Sequence, residues 1–555
     1  MTPRLLLFIF AAAVSLYFVD LGGSSIWDAN ESFYVETPRE MMERGDYVFP
    51  TFNYQPRLNK PVLSYWMVIG LYTLFGTSVG VQRLGIAVGG LTLVVAALVL
   101  GGLAFRGADA AGRRAAALLA ACGLAVDPRL VMFSRRIFID IWISAFMALT
   151  LMFFALSERF PQRRRLLLVL MYASVGLGVL TKGPVAAALP GLVFAVYLVA
   201  HGELRRVREM MIPAGVLIVL AIVAPWYLAL YQRDGWTYIV SFFVGENIGR
   251  YTSGVGFQAP RGVEFYPPIV LSDAFPLSVF AIPAGLLWWK SRQSMRIDAS
   301  DDAQRTTSLL FIWIFVIVGF FSFSHDKQDL YIFPIVPAVV ALGAAAFANR
   351  DRMPRTVWTA SVVLALLLAG AGGAVLYIFE SAGRIYALDG AMVVGALAVA
   401  GGVVAVLFAV LRRESAGALT VLATLAIMNW VIVVKVLPDF ERYKPSPPIS
   451  DFLRQRLAPG DLVATYNVNT PSMVYYLRRH VDIYYGPQPF VDAVKGNVRM
   501  FGVVSEADYA LLKHEIGSAS CVLHRVPTFE VKLRDVLARK PLPQLVVITN
   551  RCEAR

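Results

Sequence analysis

The chain has 555 residues, of which 57% are hydrophobic and only 16% charged. So much apolar surface exceeds what a soluble core can bury, which excludes a soluble globule and leaves a polytopic α-helical membrane protein. The net charge of +13 does not indicate nucleic acid as a partner, because the arginines fall in short clusters between apolar spans, the pattern that marks cytoplasmic loops.

The first apolar run, LLLFIFAAAVSLYFV after Met1-Thr2-Pro3-Arg4, resembles a signal-peptide core, but no clear small-residue cleavage site follows and the run reads as a retained anchor. The stretch from Trp27 to Trp66 then packs acids, bases and aromatics between long apolar spans. Thr37-Pro38-Arg39-Glu40 has the form of a helix start, with Thr37 as N-cap and Gly45 placed to end the helix. A second start is expected at Asn59-Lys60-Pro61, with Asn59 as cap, leading into VLSYWMVIGLYTLF. Asp28, Glu31 and Glu36 precede or enter the first helix, and Arg57 and Lys60 precede the second.

Basic clusters fix the expected topology. They occur at Arg106 with Arg113 and Arg114, at Arg159 to Arg165, at Arg205 to Arg208, at Lys290 to Arg296, at Arg350 to Arg355 and at Arg412-Arg413. If all face the cytoplasm, pairs of crossings must separate them. Apolar segments near 114–128 and 138–157, 166–181 and 184–200, 211–231 and 267–288, 307–324 and 330–347, and 357–379 and 388–411 obey this. Parity requires that one of the three apolar runs before Arg106 not cross, and the short aromatic run 62–77 is the candidate for an interfacial helix. A last span near 417–437 leaves about thirteen crossings, the N-terminus cytoplasmic and the C-terminus periplasmic. The first loop (21–83), Asp140, the segment Gln232 to Pro267 and Ser324 to Asp329 then share the extracytoplasmic face of a membrane domain over 1–438.

After Pro438 the composition changes. Runs DLVATYNV, VDIYYG, MFGVVS, CVLHRV and QLVVIT alternate with helical patterns PSMVYYLRR, EADYALLKHEI and EVKLRDVLARK, which predicts a small extracytoplasmic α/β domain over 439–555 with a largely parallel sheet. Cys521 and Cys552 both lie in it and could pair in an oxidising compartment, but spacing does not decide this.

An acid cluster at a membrane surface beside basic and aromatic residues suits a substrate that is part lipid and part anion. It also suits sugar transfer, in which a departing phosphate must be neutralised and an acceptor hydroxyl activated by a carboxylate or a metal. No P-loop or dinucleotide-binding context occurs, so no nucleotide cofactor is expected. Each residue has a plainer role to set beside this. Asp28 could only cap a loop, Glu31 could pair with Arg39 or Arg57, Asp140 could be neutralised by Arg135 and Arg136, and Lys60 could snorkel. Lys182 in LTKGP reads as structural or at a groove's edge. Glu246 and Arg250 could bind sugar or order a long loop, and His325 with Asp326 and Asp329 reads as a solvated turn rather than a metal site.

The order W-x-x-[DN]-E-x-x-Y-x-E-x-x-R-E-M, GDYVFP, [EN]-K-P-x-x-x-Y-W, SRRIFID, LTKGP, PWY with FFVGEN, and SHDKQDLYIFP resembles the bacterial polyprenyl-phosphate-dependent glycosyltransferases of GT-C fold. These are related to the protein O-mannosyltransferases, and the lipid A aminoarabinose transferases are the most similar group. The resemblance covers about residues 5–350. It implies the GT-C fold, an extracytoplasmic first loop bearing the catalytic acid, an undecaprenyl-phosphate-linked sugar as donor, and lipid A, another envelope glycan or protein as acceptor. Transfer would invert the sugar, often with a divalent cation nearby. By position, Glu31, Tyr34 and Glu36 match the first motif, Lys60-Pro61 the next, Asp140 a second acid and Lys327 with Tyr331 a late pair. The catalytic candidates are Asp28, Glu31 and Asp140, and the metal candidates Asp28 and Asp140. Substrate would be bound by Tyr34, Arg57, Asn59, Lys60, Glu246, Arg250, Lys327 and Tyr331. Asn30 and Asn59 stand where the aminoarabinose enzymes carry acids. The alternative from another class is a lipid-linked sugar flippase or transporter in the same bacterial inner membrane, which should show internal symmetry and polar residues at the midplane.

Overall fold

The structure is a computed structural model that describes residues 3–552 except 29, 108, 253–260, 295–301, 383–385, 387 and 530–535. The chain opens with α1 (Pro3–Leu16), α2 (Glu31–Arg44), the two-residue strands β1 (Thr51–Phe52) and β2 (Gln55–Pro56), and α3 (Leu63–Phe75). The bundle continues with α4 (Val79–Ala104), α5 (Ala110–Ala125), α6 (Pro128–Phe133), α7 (Phe138–Arg159), α8 (Arg164–Lys182), α9 (Val185–Ala200) and α10 (Ile212–Asp234). Next come α11 (Thr237–Val240), a π-helix Ser241–Gly249, α12 (Arg250–Thr252), α13 (Tyr266–Asp273) and α14 (Ala281–Ser294). The last membrane helices are α15 (Asp302–Ser322), α16 (Val336–Ala348), α17 (Pro354–Ala382), α18 (Asp389–Val410) and α19 (Glu414–Val431), which runs on through a π-turn into α20 (Leu437–Phe440).

Among the described residues nine helices are long and apolar enough to cross a membrane, and ten if the bent pair Val263–Asp273 and Leu277–Lys290 is one span. Three shorter apolar helices accompany them, within α1, α3 and α9, and α5 packs against α1 and α4 in the same bundle. The bend corrects the expectation of one continuous span over 267–288. The two halves meet at 111°, and the break follows Asp273, whose buried carboxylate pairs with Arg129 Nε at 2.7 Å. A buried charge at the end of α13 is tolerated because it is paired there. The basic cluster that begins at Lys290 continues into residues outside those described.

The first loop differs from expectation at its helix starts. α2 begins at Glu31, six residues before Thr37, and Pro38 lies inside it. The start is a reciprocal box: the Glu31 N–H donates to the Trp27 carbonyl at 3.3 Å, and the Trp27 N–H donates to Glu31 Oε2 at 2.9 Å. With the helix already begun at Glu31, the N–H groups that a Thr37 cap would have served are bonded within α2, and Thr37 is buried mid-helix instead. The stop at Gly45 stands as expected, with φ +63° and Asp46 N–H donating to the Met41 carbonyl, the Schellman arrangement. α3 starts at Leu63, and the Asn59 side chain does not cap it.

The C-terminal unit adds α21 (Ser446–Arg454), β3 (Leu462–Tyr466), α22 (Ser472–Leu477), β4 (Asp482–Tyr484), α23 (Pro487–Lys495), β5 (Met500–Ser505), α24 (Glu506–Ile516), β6 (Cys521–Pro527) and β7 (Gln544–Thr549). The sheet order is β4-β3-β5-β7-β6. It is mixed rather than largely parallel: β3 pairs parallel with β4 and β5, while β7 runs antiparallel to β5 and β6. Both faces are buried, Val463, Phe501 and Val547 on one and Ala464, Val504 and Ile548 on the other, which explains why these strands read as nearly continuous apolar runs. Cys521 and Cys552 form a disulfide. The helix expected from EVKLRDVLARK lies outside the described residues up to 535.

This unit is stitched to the first loop. The Asn53 side chain at the β1–β2 turn donates to the Val481 carbonyl at 2.7 Å and accepts from the Val481 N–H at 2.9 Å. Tyr476 Oη accepts from the Ile26 N–H at 2.9 Å, Lys444 Nζ donates to the Ser25 carbonyl at 2.9 Å, and Trp27 stacks on Phe440.

Candidate active site

One cavity of about 360 Å³ opens at the end of the bundle that carries the first loop. Its wall is apolar over most of its extent, from Ile143 and Met147 of α7 to Phe320 and Phe321 of α15, and a few polar groups converge on it: Lys60, Lys182, Glu246, Ser324, Asp326 and Tyr331. An apolar chamber with a small set of placed charges is the usual form of a site for an amphipathic ligand.

Two helix ends build its central pair. Asp140 sits in the first turn of α7 and Lys182 is the last residue of α8. A carboxylate at a helix N-terminus and an ammonium at a C-terminus are each stabilised by the backbone dipoles there. Lys182 Nζ donates to Asp140 Oδ1 and lies 5.2 Å from the centre of the Tyr331 ring. Gly183 ends α8 at φ +112°, and a Cβ there would strike the Phe242 ring, so this turn needs glycine. A second pair joins Lys60 Nζ to Glu246 Oε2 at 3.5 Å. Glu246 stands in the π-helix Ser241–Gly249, and π-helical turns are often found at functional sites.

Of the residues singled out by sequence, the cavity wall therefore brings together Lys60, Glu246 and Tyr331 and adds Lys182; Asp140 is outside that lining and meets it through its bond to Lys182. Tyr34 lies behind it, stacked between Tyr65 and Phe138. Lys327 is 7% exposed and donates to the Ser324 carbonyl at 2.6 Å, beside the cavity rather than in its wall. Arg57 lies over the Phe33 ring at 3.7 Å. The Arg250 side chain is outside the described residues. His325 donates its backbone N–H to the Tyr251 carbonyl.

Asp28 and Glu31 are held elsewhere. Asp28 accepts from Ser446 Oγ at 2.6 Å and from the Ser472 N–H at 2.8 Å, both in the C-terminal unit. Burial lifts its carboxyl above the usual range, against the lowering pull of Ser446, Ser472 and Lys444. Glu31 pairs neither with Arg39 nor with Arg57 but with Arg83, at 2.6 and 2.9 Å, and both side chains are buried. Arg39 instead holds Glu36 and Glu43. Nor do Arg135 and Arg136 neutralise Asp140: Arg135 donates to the carbonyls of Leu16, Val19 and Asp20, and Arg136 lies over Trp27.

A divalent cation needs several free oxygen donors around one point. Asp140 is bonded to an ammonium and Asp28 to a hydroxyl and an amide, and no three His, Cys, Asp or Glu side chains converge among the described residues. These residues do not fit a shared cation, and no step is derived through one. Two participants escaped the sequence reading, Arg83 altogether and Lys182 as a member of the central pair. An isolated arginine in the apolar run after Val79 was a signal, since such a charge is costly unless it is paired.

Comparison with known proteins places this geometry. Residues 4–239 match the sequence profile of the family described as dolichyl-phosphate-mannose-protein mannosyltransferase. An uncharacterised protein of Aquifex aeolicus is 27% identical over 368 residues, covering 64% of this chain and 67% of its own. The undecaprenyl phosphate-α-4-amino-4-deoxy-L-arabinose arabinosyl transferase of Serratia proteamaculans is 31% identical over 357 residues, covering 62% of this chain and 59% of that protein. The chain thus spans about 60% of the length of the named transferases it matches. In structure it superposes on ArnT from Cupriavidus metallidurans, solved with undecaprenyl phosphate bound, with a TM-score of 0.77 at 23% identity, over 100% of this chain and 99% of that one. The chain is a multi-pass membrane protein of GT-C fold, and the resemblance its motifs carry to the polyprenyl-phosphate-dependent glycosyltransferases holds in sequence and in architecture.

Proposed function

We propose that the chain is an inverting glycosyltransferase that moves a sugar from an undecaprenyl-phosphate-linked donor to a hydroxyl of an envelope acceptor, lipid A, another glycan or protein. The observation that carries this reading is the cavity itself, an apolar chamber with Lys60 and Lys182 in its wall and a carboxylate beside each. The prenyl chain lies against the apolar wall, where Ile248 and Phe320 face the cavity. The ammonium groups of Lys60 and Lys182 neutralise the phosphate as it departs, which lowers the barrier because that charge develops in the transition state. As the phosphate draws Lys182 away, the Asp140 carboxylate is released to accept the proton of the attacking hydroxyl, and Tyr331 closes the wall beside it. Asp28 and Glu31 act at one remove, by holding the first loop that delivers Lys60. In this reading the protein lies in the bacterial inner membrane with its N-terminus cytoplasmic and the C-terminal unit periplasmic.

The test is transfer of radiolabel from undecaprenyl-phosphate sugars to an envelope extract by the purified protein in liposomes. Asp140→Asn and Lys60→Ala should each lower the rate by about two orders of magnitude or more, the usual scale for a general base or a charge-neutralising group. Wild-type rates in both variants, or movement of intact donor between leaflets without transfer, would overturn the proposal.

A further inference from the structure

At the end of the bundle away from the cavity, α7 ends, α8 begins, and a 3-10 helix, Leu204–Glu209, follows α9. Among the described residues the acids here are Glu158, Glu203, Glu209 and Asp302, and each is already taken. Arg206 Nη2 lies 2.7 Å from Glu158 and Arg164 Nη1 3.2 Å from Glu209. Arg305 Nη2 lies 2.5 Å from Glu203, and Arg159 pairs with Asp302. The hydrogen bond from Arg305 holds the Glu203 carboxyl down to about 2.

Arg164 and Arg206 share Glu158 and Glu209, which fixes the start of α8 against the 3-10 helix. Arg163, Arg165, Arg205 and Arg208 lie within two residues of these on the same two segments, whose relative place the shared ion pairs fix. All four are exposed, and none has a carboxylate partner among the described residues. Four guanidinium groups without a carboxylate partner among the described residues repel one another, and a solvated face does not explain the apolar side chains set among them. Phe160 is 45%, Leu166 59% and Leu204 57% exposed. Arginines beside exposed apolar residues at the end of a membrane bundle describe a headgroup-level surface, where the guanidinium groups meet phosphate and the apolar side chains meet acyl chains.

We propose that Arg163, Arg165, Arg205 and Arg208 form a binding site for the phosphate headgroup of an anionic phospholipid, distinct from the donor cavity at the other end of the bundle. The paired network sets the place of the two arginine-bearing segments, and the lipid supplies the negative charge that the described residues do not offer these four arginines.

The test uses the full chain, purified in neutral detergent, and measures retention of phosphatidylglycerol against phosphatidylcholine by native mass spectrometry. The probes are Arg163→Gln with Arg165→Gln, Arg205→Gln with Arg208→Gln, and all four together. The comparison variant is Arg352→Gln with Arg355→Gln, two exposed arginines at the start of α17. Preference for phosphatidylglycerol should fall about fivefold for each arginine removed from the site, stay at the wild-type level in the comparison variant, and survive an excess of glycerophosphate, which separates a lipid from a free phosphate. Equal loss in the comparison variant would show bulk surface charge, and full displacement by glycerophosphate a soluble anion site. Either result, or unchanged retention in the fourfold variant, would overturn the proposal. The thermal midpoint in lipid-free detergent identifies a variant that fails to fold, and Arg163→Lys with Arg205→Lys, which keep the charge, should then still retain the lipid.

Discussion

Replacing Arg83 by methionine is the sharpest test of how the first loop is held. Its guanidinium makes two bonds to the Glu31 carboxylate, at 2.6 and 2.9 Å, and donates to the carbonyls of Leu21, Ser24 and Ser25 and to Ser24 Oγ at 2.8 to 2.9 Å. With Arg83 gone, Glu31 keeps only the Trp27 N–H and is 0% exposed. Breaking a buried pair from one side costs about 3–5 kcal/mol because it strands the other charge. The loop is the part able to open, so that cost falls on local opening of residues 24–31, which should become about two to three and a half orders of magnitude more frequent. Amide hydrogen exchange across Ser24 to Glu31 reads this directly. Adding Glu31→Leu should restore much of the protection, since an apolar pair of similar volume removes the stranded charge. Exchange within threefold of wild type in Arg83→Met, or losses in the double variant that simply add, would refute the reasoning.

Three further outcomes follow from single contacts. Burial, with Glu36 nearby adding to it, pushes the Glu40 carboxyl up to about 7. The folded loop therefore holds a proton that the unfolded chain releases near pH 4.5, and its stability should fall as pH rises from about 4.5 to 7; thermal midpoints across that window should lose this slope in Glu40→Gln. Gly343→Ala would place its Cβ on the Leu277 carbonyl oxygen, forcing α16 away from the bend between α13 and α14, and should lower stability by about 1–3 kcal/mol, read as a lower denaturation temperature in detergent. Asp28→Asn should keep transfer activity within a few-fold while Asp28→Ala loosens the C-terminal unit, because its carboxylate bonds Ser446 and the Ser472 amide rather than facing the cavity. Proteolysis of the linker after Tyr443 measures the second effect, and loss of turnover in Asp28→Asn with the linker still protected would make it a catalytic acid after all.

The long spans were legible because apolar length is a coarse quantity, and the short aromatic run 62–77 became the 13-residue helix α3. Helix starts were less legible. Thr37-Pro38 carries every local mark of an N-terminus, yet the box formed by Trp27 and Glu31 supplies a start six residues earlier, and an isolated cap motif cannot compete with one already tied to a buried arginine. The sheet's strands were found, but their directions were not. Alternating strand and helix patterns suggest parallel pairing, whereas β7 returns beside β5 from an edge hairpin with β6, a choice that no local residue encodes.

For the site, sequence separates what space joins. Asp140 and Lys182 are 42 residues apart; on paper the acid has nearer partners in Arg135 and Arg136, and the lysine reads as structural or at a groove's edge. Those arginines turn instead to the carbonyls that end α1 and to the face of Trp27, because an unpaired carbonyl in a bundle interior must find a donor as surely as a carboxylate must find a cation. Once the neighbouring arginines are engaged in that way, the only positive group left beside the N-terminus of α7 among the cavity residues of the adjacent helix is Lys182. The central pair is thus selected by what the first loop and α1 consume. A substitution in α1 that displaced Arg135 would be felt at Asp140 without touching it, as a change in rate rather than in donor affinity.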